Sequence, residues 1–233
     1  VLERHYPNAV EAGASSNSKA LMLLDEVMQA QAKLVASWQM IGFIHGVMNT
    51  DNVLLSGETI DYGPCAFMDT YNPDTVFSSI DHGGRYAYRN QPGIAHWNMA
   101  CLAQALVPVI ADKEENAIEI AKDALDKFPA YFLDANVSGM QRKLGLASHH
   151  DDDEILAKDF LDLLEAHQLD FTLSFRRLSE LSGTAPTANV SSLAGFPSAF
   201  DGWMARWKTR LDTEDNPAHQ EDMLSTNPAI IPR

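Results

Sequence analysis

The chain has 233 residues, 45% of them hydrophobic, which is enough to bury one substantial core or two modest ones. Its 32 acidic and 17 basic side chains give a formal net charge of -15, and a field of that sign repels phosphate backbones and anionic lipid headgroups. Composition therefore argues against a nucleic-acid-binding protein and against a membrane-surface protein.

Cysteine content and the terminal sequences give further limits. Cys65 and Cys101 cannot form a disulfide framework and lack the spacing of a structural zinc site, which favours a reducing compartment. No apolar run approaches the roughly 20 residues that span a bilayer, and no basic region followed by an apolar segment opens the chain. Because the chain starts at Val1, and because the polar stretch 212–233 has no termination pattern, we expect a fragment of a longer protein.

The first predicted element is a helix that begins at Asn17 or Ser18, either of which can cap it, and that ends near Gln39, before Gly42. Apolar residues recur through it at steps of three and four, as on a helix face packed against a core: Leu21, Leu24, Val27, Met28, Leu34, Val35 and Trp38. The pattern predicts a long amphipathic helix.

Two loop-rich segments follow. Residues 43–62 combine short β-like pieces, at 53–55 and 59–60, with turn residues, and they predict a loop and a hairpin. Residues 63–92 contain repeated Gly, Pro, Asn and Asp and predict a long irregular segment, of a kind that is usually functional when ordered. Its expected aromatic anchors are Tyr71, Phe77, Tyr86 and Tyr88.

The rest of the chain is predicted to be almost wholly helical. The helical patterns cover residues 93–107, 113–128, 131–144, 152–167, 170–182 and 198–212. Breaks are expected at Pro108, Pro129, Gly145, residues 183–186 and Pro197. The predicted fold class is α+β, mainly α, with a small β-hairpin and a helical C-terminal extension.

One stretch carries a chemical signal. His45-Gly46-Val47-Met48-Asn49-Thr50-Asp51-Asn52 is followed, nine residues later, by Asp61-Tyr62-Gly63. Against the protein-kinase loop H-R-D-L-x-x-x-N and its D-F-G, His45 and Asn52 fall at the right spacing, whereas Val47 replaces the usual Asp. A carboxylate is therefore missing at one position, and another is present at Asp51.

The chemistry of phosphate transfer suggests roles for these side chains. Mg²⁺ prefers hard oxygen ligands, and Asn52 and Asp61 together can hold it against the phosphates of a nucleotide. Asp51, beside such a metal, can accept the proton of an incoming hydroxyl. The alternative is a turn-rich hairpin in which these Asx side chains cap their own backbone.

Several other residues have two interpretations. His45 is either a catalytic acid or, as we favour, a packed and hydrogen-bonded support for the loop. Arg85 is either a phosphate or substrate contact or, as we favour, the partner of a loop-stabilising ion pair near Asp81 and His82. Residues 149–154 resemble a metal cluster, but acidic residues at a helix start complement its dipole, so we favour a solvated helix N-terminus.

Aromatic and thiol side chains are predicted to be structural. Trp38, Trp97, Trp203 and Trp207 lie on apolar helical stripes, which predicts that they are core residues. Cys65 follows Pro64, and we expect it to be buried and inert rather than nucleophilic.

Several uncommon segments together resemble one family. They are residues 4–7 (RHYP), 42–52 (GFIHGVMNTDN), 59–64 (TIDYGP), 81–86 (DHGGRY), 90–92 (NQP) and 97–98 (WN). They are similar to the selenoprotein O (YdiU) family, densely from Arg4 to Leu106 and more thinly to Asn227-Pro228. So long a run of uncommon motifs is highly specific.

The resemblance implies a protein-kinase-like fold that binds ATP in a flipped orientation and transfers AMP to Ser, Thr or Tyr hydroxyls of proteins. Position by position it implies Asp51 as the base, Asn52 and Asp61 as ligands of Mg²⁺, for which Mn²⁺ is the alternative, and Asp61 also as an ATP contact. It further implies a kinase-like C-lobe core over residues 1–110 and a helical extension over 111–233.

The resemblance also implies what a fragment of this kind lacks. The family's glycine-rich strands, its ATP-binding Lys with the paired Glu, and its phosphate-binding arginines precede the matched segments, so we expect the chain alone to be nearly inactive. The expected partners are ATP and acceptor proteins, with no nucleic acid and no membrane. Members are cytoplasmic in bacteria and mitochondrial in eukaryotes. A non-catalytic pseudokinase binding module is the alternative, and ordinary phosphorylation is disfavoured by Val47.

Overall fold

The structure, a computed structural model, describes residues 1–10, 15–183 and 196–231 and is mainly helical over those ranges. Its helices are α1 (Leu2–His5), α2 (Ser16–Ile41), α3 (Gln91–Ile110), α4 (Glu114–Leu125), α5 (Phe128–Leu144), α6 (Asp153–Ala166), α7 (Phe171–Leu181), α8 (Asp201–Leu211) and α9 (His219–Thr226). Strands β1 (Phe43–Ile44) and β2 (Ala66–Phe67) pair in a two-stranded sheet. The mainly helical α+β class is confirmed.

The chain forms two compact units that share some of these elements. The first unit contains residues 1–39, 44–66 and 76–136. The second contains residues 40–43, 67–75 and 137–233. The candidate chemical residues all lie in the first unit, whereas the predicted division after residue 110 stays a prediction.

Helix α2 is the longest element and confirms the first predicted helix. Its predicted face is buried, with Leu24, Val27 and Val35 wholly inaccessible to solvent. The expected caps are wrong, because the Ser15 hydroxyl accepts the amide of Ser18 at 3.2 Å. The helix therefore begins one or two residues earlier than predicted.

Two prolines do not act as the predicted breaks. Pro108 lies inside α3, which continues to Ile110. Proline has no backbone N–H, so α3 loses one hydrogen bond at this position. The cost is small because the helix ends only two residues later. Pro129 is the second residue of α5, and in the first turn of a helix the amide has no intrahelical partner to lose.

Three predictions about burial and order are wrong. Trp97 is 46% exposed on α3 and Phe77 is 39% exposed, so neither is buried as an anchor or core residue would be. The polar stretch after Asp212 contains α9, whose Met223 is wholly buried. A short helix with one apolar contact gives too weak a periodic signal to be detected in sequence. The expected break at 183–186 lies mostly outside the described residues.

Among the described residues one segment, Tyr88–Ile110, is long and apolar enough by length and composition to cross a membrane, with a mean hydropathy of 1.3. The prediction that no apolar run approaches this length is therefore wrong. The core helix of a soluble protein passes the same test, so this property alone assigns no membrane role.

The core of the second unit is aromatic. Phe160 is wholly buried, and its ring lies 5.1 Å from that of Phe175 and 4.6 Å from that of Trp203. The indole Nε1 of Trp203 donates to the Leu156 carbonyl at 2.8 Å, and that of Trp207 donates to the Leu144 carbonyl at 2.9 Å. Each buried indole thus keeps a partner for its one polar atom.

The acidic start of α6 is only partly the solvated end that was predicted. Asp151 and Asp152 are exposed, but Asp153 is 3% exposed and accepts from the Arg210 guanidinium at 2.8 Å. Although burial opposes the change, hydrogen bonds from Arg210, the His150 amide and Gln141 hold the pKa of Asp153 below its ordinary value. This carboxylate is a structural ion-pair partner and not a metal ligand.

A buried lysine connects three helices of the second unit. Lys143 is 2% exposed, its Nζ donates to Asn227 Oδ1 at 2.8 Å, and it lies 4.1 Å from the centroid of the Phe175 ring. Asn227 lies just after α9, and its side-chain nitrogen donates to the Lys143 carbonyl and to the Ser179 hydroxyl, both at 2.9 Å. Burial lowers the pKa of Lys143 from 10.5 to about 7.

Lys143 should make stability depend on pH. The folded protein holds fewer protons than the unfolded chain between the folded pKa, about 7, and the unfolded value of 10.5, so stability rises with pH across that window. From pH 7 to pH 9 we expect the unfolding free energy of the parent chain to rise by about 2 kcal/mol more than that of Lys143→Met. Urea unfolding at the two pH values measures it.

Lys208→Met, at an exposed lysine of α8, is the matched control and should keep the parent's pH dependence. Equal pH dependence in Lys143→Met and the parent would show that the lysine does not titrate in this range.

Candidate active site

The loop that contains Asp51 and Asn52 packs against the segment that contains Asp61. Gly46 has φ +85°, and a Cβ added there would lie 3.1 Å from both Cγ and the carbonyl oxygen of Pro64. Only glycine combines this backbone conformation with so close an approach. The two motifs, which are separate in sequence, therefore meet at Gly46 and Pro64.

His45 links the two motif segments directly. Its imidazole is wholly buried, its Nε2 lies 2.8 Å from the carbonyl oxygen of Ile60, and its Nδ1 lies 3.4 Å from the amide nitrogen of Val47. Because the carbonyl can only accept and the amide can only donate, the neutral tautomer with the proton on Nε2 satisfies both contacts. The ring thus holds Ile60, the residue before Asp61.

Asp51 and Asn52 lie in a short 3-10 turn, Thr50–Asn52. The Asn52 side-chain nitrogen donates to the Val47 carbonyl at 3.0 Å, and the Asn52 amide donates to the Asn49 carbonyl at 2.9 Å. With the nitrogen so engaged, the side-chain oxygen of Asn52 is the atom left to face a ligand. The Asp51 carboxylate is exposed.

Asp61 is exposed and has φ +55°, the left-handed region that few residues other than glycine adopt. An isolated antiparallel bridge joins Val53 to Thr59, and Gly57, with φ +74°, forms the turn between them. Asn52 precedes the first bridged residue and Ile60 follows the second. Asn52 and Asp61 therefore lie just outside the open end of one hairpin, while their assignment as metal ligands stays a prediction.

The donor set suits Mg²⁺. Across residues 1–10, 15–183 and 196–231 no group of three or more His, Cys, Asp and Glu side chains could hold a metal ion. Two side-chain oxygens, from Asn52 and Asp61, match a cation that keeps most of its coordination for water and substrate phosphates. The geometry therefore fits a nucleotide-bound metal better than a permanent protein-bound one.

Three further polar side chains support the loop that contains Asp51, and the sequence analysis predicts this role for none of them. The Gln91 side-chain oxygen, wholly buried, accepts from the His45 amide at 3.0 Å. The Asn98 side-chain nitrogen donates to the Met48 carbonyl at 3.0 Å, and the Tyr86 hydroxyl donates to Asn49 Oδ1 at 2.6 Å. Their polarity on an otherwise apolar or loop segment was the signal that could have identified them.

Arg85 does not form the ion pair that was favoured. Asp81 accepts from the backbone amides of Arg85 and Tyr86, each at 2.8 Å, instead of from the guanidinium. The Arg85 guanidinium lies over the indole ring of Trp97, 4.9 Å from its centroid. The side chain remains exposed.

Cys65 lies beside the site and is partly exposed rather than buried. Its Sγ is 3.3 Å from the Tyr62 carbonyl, to which it donates. Burial, with a further contribution from the Asp61 charge, raises the pKa of the Cys65 thiol. A raised pKa disfavours the nucleophilic thiolate, which agrees with the expected inertness.

The whole chain is similar in sequence to one family of known proteins. The sequence profile of the family described as "Protein adenylyltransferase SelO" matches residues 1–233. The chain is 51% identical over 235 residues to a "Protein nucleotidyltransferase YdiU" of Rhodopseudomonas palustris (strain BisB18) and covers 47% of that protein. Identity is 50% to one from Bradyrhizobium sp. (strain BTAi1) and 48% to one from Geobacillus kaustophilus, of which the chain covers 47% and 46%. The chain thus spans about half the length of these curated relatives.

The buried imidazole provides a test of the local architecture. We expect His45→Phe, which keeps a ring against Trp38 but removes the hydrogen bond to Ile60, to destabilise the chain by about 1–3 kcal/mol because a partly buried carbonyl loses its donor. Urea unfolding measures the change.

His96→Phe is the matched control, since the His96 ring stacks on Phe128 at 5.3 Å and Phe retains that stacking. We expect a change below about 0.5 kcal/mol there. Equal losses in the two variants would mean that His45 contributes by packing alone.

Proposed function

Because the chain belongs to the SelO family of protein adenylyltransferases, we propose that it supplies the catalytic and metal-binding loops of an enzyme that transfers AMP from ATP to Ser, Thr and Tyr hydroxyls of proteins. In this proposal residues 1–110 form the core of a protein-kinase-like C-lobe. The observation that supports it is that Asn52 and Asp61 flank one bridged hairpin, and that Asp51, the chain neighbour of Asn52, is exposed.

In the proposed reaction the acceptor hydroxyl oxygen attacks the α-phosphorus of ATP, and the bond to the β-phosphate oxygen breaks, so pyrophosphate leaves. Asp51 takes the hydroxyl proton as general base. The Asn52 side-chain oxygen and the Asp61 carboxylate would hold Mg²⁺, and the triphosphate would be held through the metal rather than by these two oxygens directly. When bound, Mg²⁺ supplies charge neutralisation for the phosphates; Mn²⁺ meets the same ligand requirements.

The exposure of Asp51 supports its role as base. It belongs to a turn in which the Asn52 side-chain nitrogen donates to the Val47 carbonyl, and the preceding Asn49 accepts from the Tyr86 hydroxyl. A rigid turn that presents one unengaged carboxylate costs little reorganisation when the hydroxyl arrives.

We further propose that this chain alone is nearly inactive. Asp51, Asn52 and Asp61 account for a base and two metal ligands but for no cation that would grip the triphosphate. Nucleotidyl transfer depends mainly on positioning and charge neutralisation, so an incomplete phosphate site removes most of the rate enhancement. The remaining contacts would come from the other half of a protein of the relatives' length.

The nucleotide itself needs a separate test. The family description specifies adenylyl transfer, whereas the relatives' names specify only nucleotidyl transfer. We propose AMP, and each of the four ribonucleoside triphosphates, labelled at the α-phosphate, should be compared as donors.

The test uses a chimera in which this chain replaces the matching segment of one of the curated relatives. We expect the chimera to transfer α-labelled AMP to protein, Asp51→Asn to reduce the rate about 10²- to 10⁴-fold with nucleotide affinity kept, and Asp61→Ala to weaken metal-dependent ATP binding as well. Transfer is measured with labelled ATP, and binding by calorimetry.

Asp112→Asn, at an exposed aspartate between α3 and α4, is the control and should match the parent chimera. Transfer of γ-labelled phosphate instead of α-labelled nucleotide would replace the proposal with phosphorylation. A chimera that binds no nucleotide would favour the non-catalytic binding module.

A further inference from the structure

An exposed arginine and an exposed tryptophan stack beside the candidate active site and have no part in the proposed transfer. The Arg85 Cζ lies 4.9 Å from the centroid of the Trp97 indole ring and 5.7 Å from that of the Tyr86 ring. Trp97 is 46% exposed. We call Arg85, Tyr86 and Trp97 the arginine platform.

The backbone of the arginine platform is held firmly. Asp81 accepts the amides of Arg85 and Tyr86 through its two carboxylate oxygens, each at 2.8 Å. The Asn90 side-chain nitrogen donates to the Gly84 carbonyl at 2.7 Å and closes the same loop. The Asp81 carboxylate is thus engaged by backbone amides, and no hydrogen-bond acceptor pairs with the Arg85 guanidinium in the part of the chain that the structure describes.

Two hydrogen bonds, one from Tyr86 and one from the residue after Trp97, connect the platform to the loop that contains Asp51. The Tyr86 hydroxyl donates to Asn49 Oδ1 at 2.6 Å, two residues before Asp51. Asn98, the chain neighbour of Trp97, donates to the Met48 carbonyl at 3.0 Å. The platform is therefore fixed relative to the proposed base and does not move independently of it.

The chemistry of the platform suits a carboxylate. A guanidinium stacked on an indole keeps its in-plane N–H donors directed away from the ring, and their fork matches the two oxygens of a carboxylate. Arg, Trp and Tyr are also the residues that most often dominate binding at protein interfaces.

On the premise of the proposed transferase function, we propose that the arginine platform binds an acidic side chain of the acceptor protein, a few residues from the hydroxyl that receives AMP. The contact path from the guanidinium through Tyr86 and Asn49 to Asp51 is on the order of 10 to 20 Å, which about three to six residues of extended peptide would span. The platform thus selects acceptors by charge at a fixed distance from the reacting hydroxyl.

A binding experiment tests the platform without requiring transfer. The probes are labelled peptides with one Tyr in a Gly/Ser/Ala background and either Glu or Gln at each position from two to six residues on either side. We expect the chimera to bind the best Glu peptide about tenfold more tightly than its Gln counterpart, measured by fluorescence anisotropy. Arg85→Gln should remove this preference, and Arg85→Lys should restore only part of it.

A kinetic experiment separates the acceptor from the nucleotide. With the same Glu peptide as acceptor, Arg85→Gln should raise the KM for peptide about tenfold and leave the kcat and the KM for ATP within twofold of the parent. Trp97→Phe, which keeps a smaller ring under the guanidinium, should give a smaller change in the same direction. Arg142→Gln, at an exposed arginine of α5, is the matched control and should change neither constant.

The outcomes separate the two proposals. Equal binding of Glu and Gln peptides by the parent chimera, or a Glu preference that persists in Arg85→Gln, overturns the platform. A raised KM for ATP with an unchanged KM for peptide also overturns it, because Arg85 would then bind the nucleotide. A Glu preference that depends on Arg85 in a chimera that transfers no nucleotide supports the platform and contradicts only the proposed transferase function.

Discussion

The buried imidazole of His45 is the contact on which the rest of the candidate site depends. Its ring nitrogens reach the carbonyl of Ile60 and the amide of Val47, so a single side chain holds both motif segments. Gln91 holds the His45 amide from α3 in turn. The backbone on either side of the acidic residues is therefore positioned by buried polar groups behind it.

Much of this arrangement could be predicted, because it rests on local sequence. The long apolar stripe of α2 and the spacing from His45 to Asn52 and on to Asp61 are strong signals, since helical periodicity and turn residues act over a few positions. Contacts between distant segments could not be predicted. Nothing in the sequence near Trp97 indicates that its ring is covered by Arg85 instead of by a core, or that Asn98 supports the Met48 carbonyl.

Errors in the second unit have the same origin. The Asp153 carboxylate looked like one more charge at a solvated helix start, and its burial depends on Arg210, which lies 57 positions away in sequence. Asn227 looked like part of a polar tail, whereas it is wholly buried against Lys143. Buried polar groups look like surface residues in a sequence because their hydrogen-bond partners are distant along the chain. The part of the core that contains such a pair therefore cannot be identified from sequence.

The left-handed backbone at Asp61 sets two requirements of the chain against each other. A glycine would adopt φ +55° without strain and would relieve a cost of about 1 kcal/mol, but it would delete the carboxylate. Asparagine would tolerate this backbone conformation and keep one oxygen ligand, but it would lose the negative charge. Random substitution selected for stability alone should therefore drift toward glycine at this position. Folding stability alone therefore does not account for an aspartate at this position.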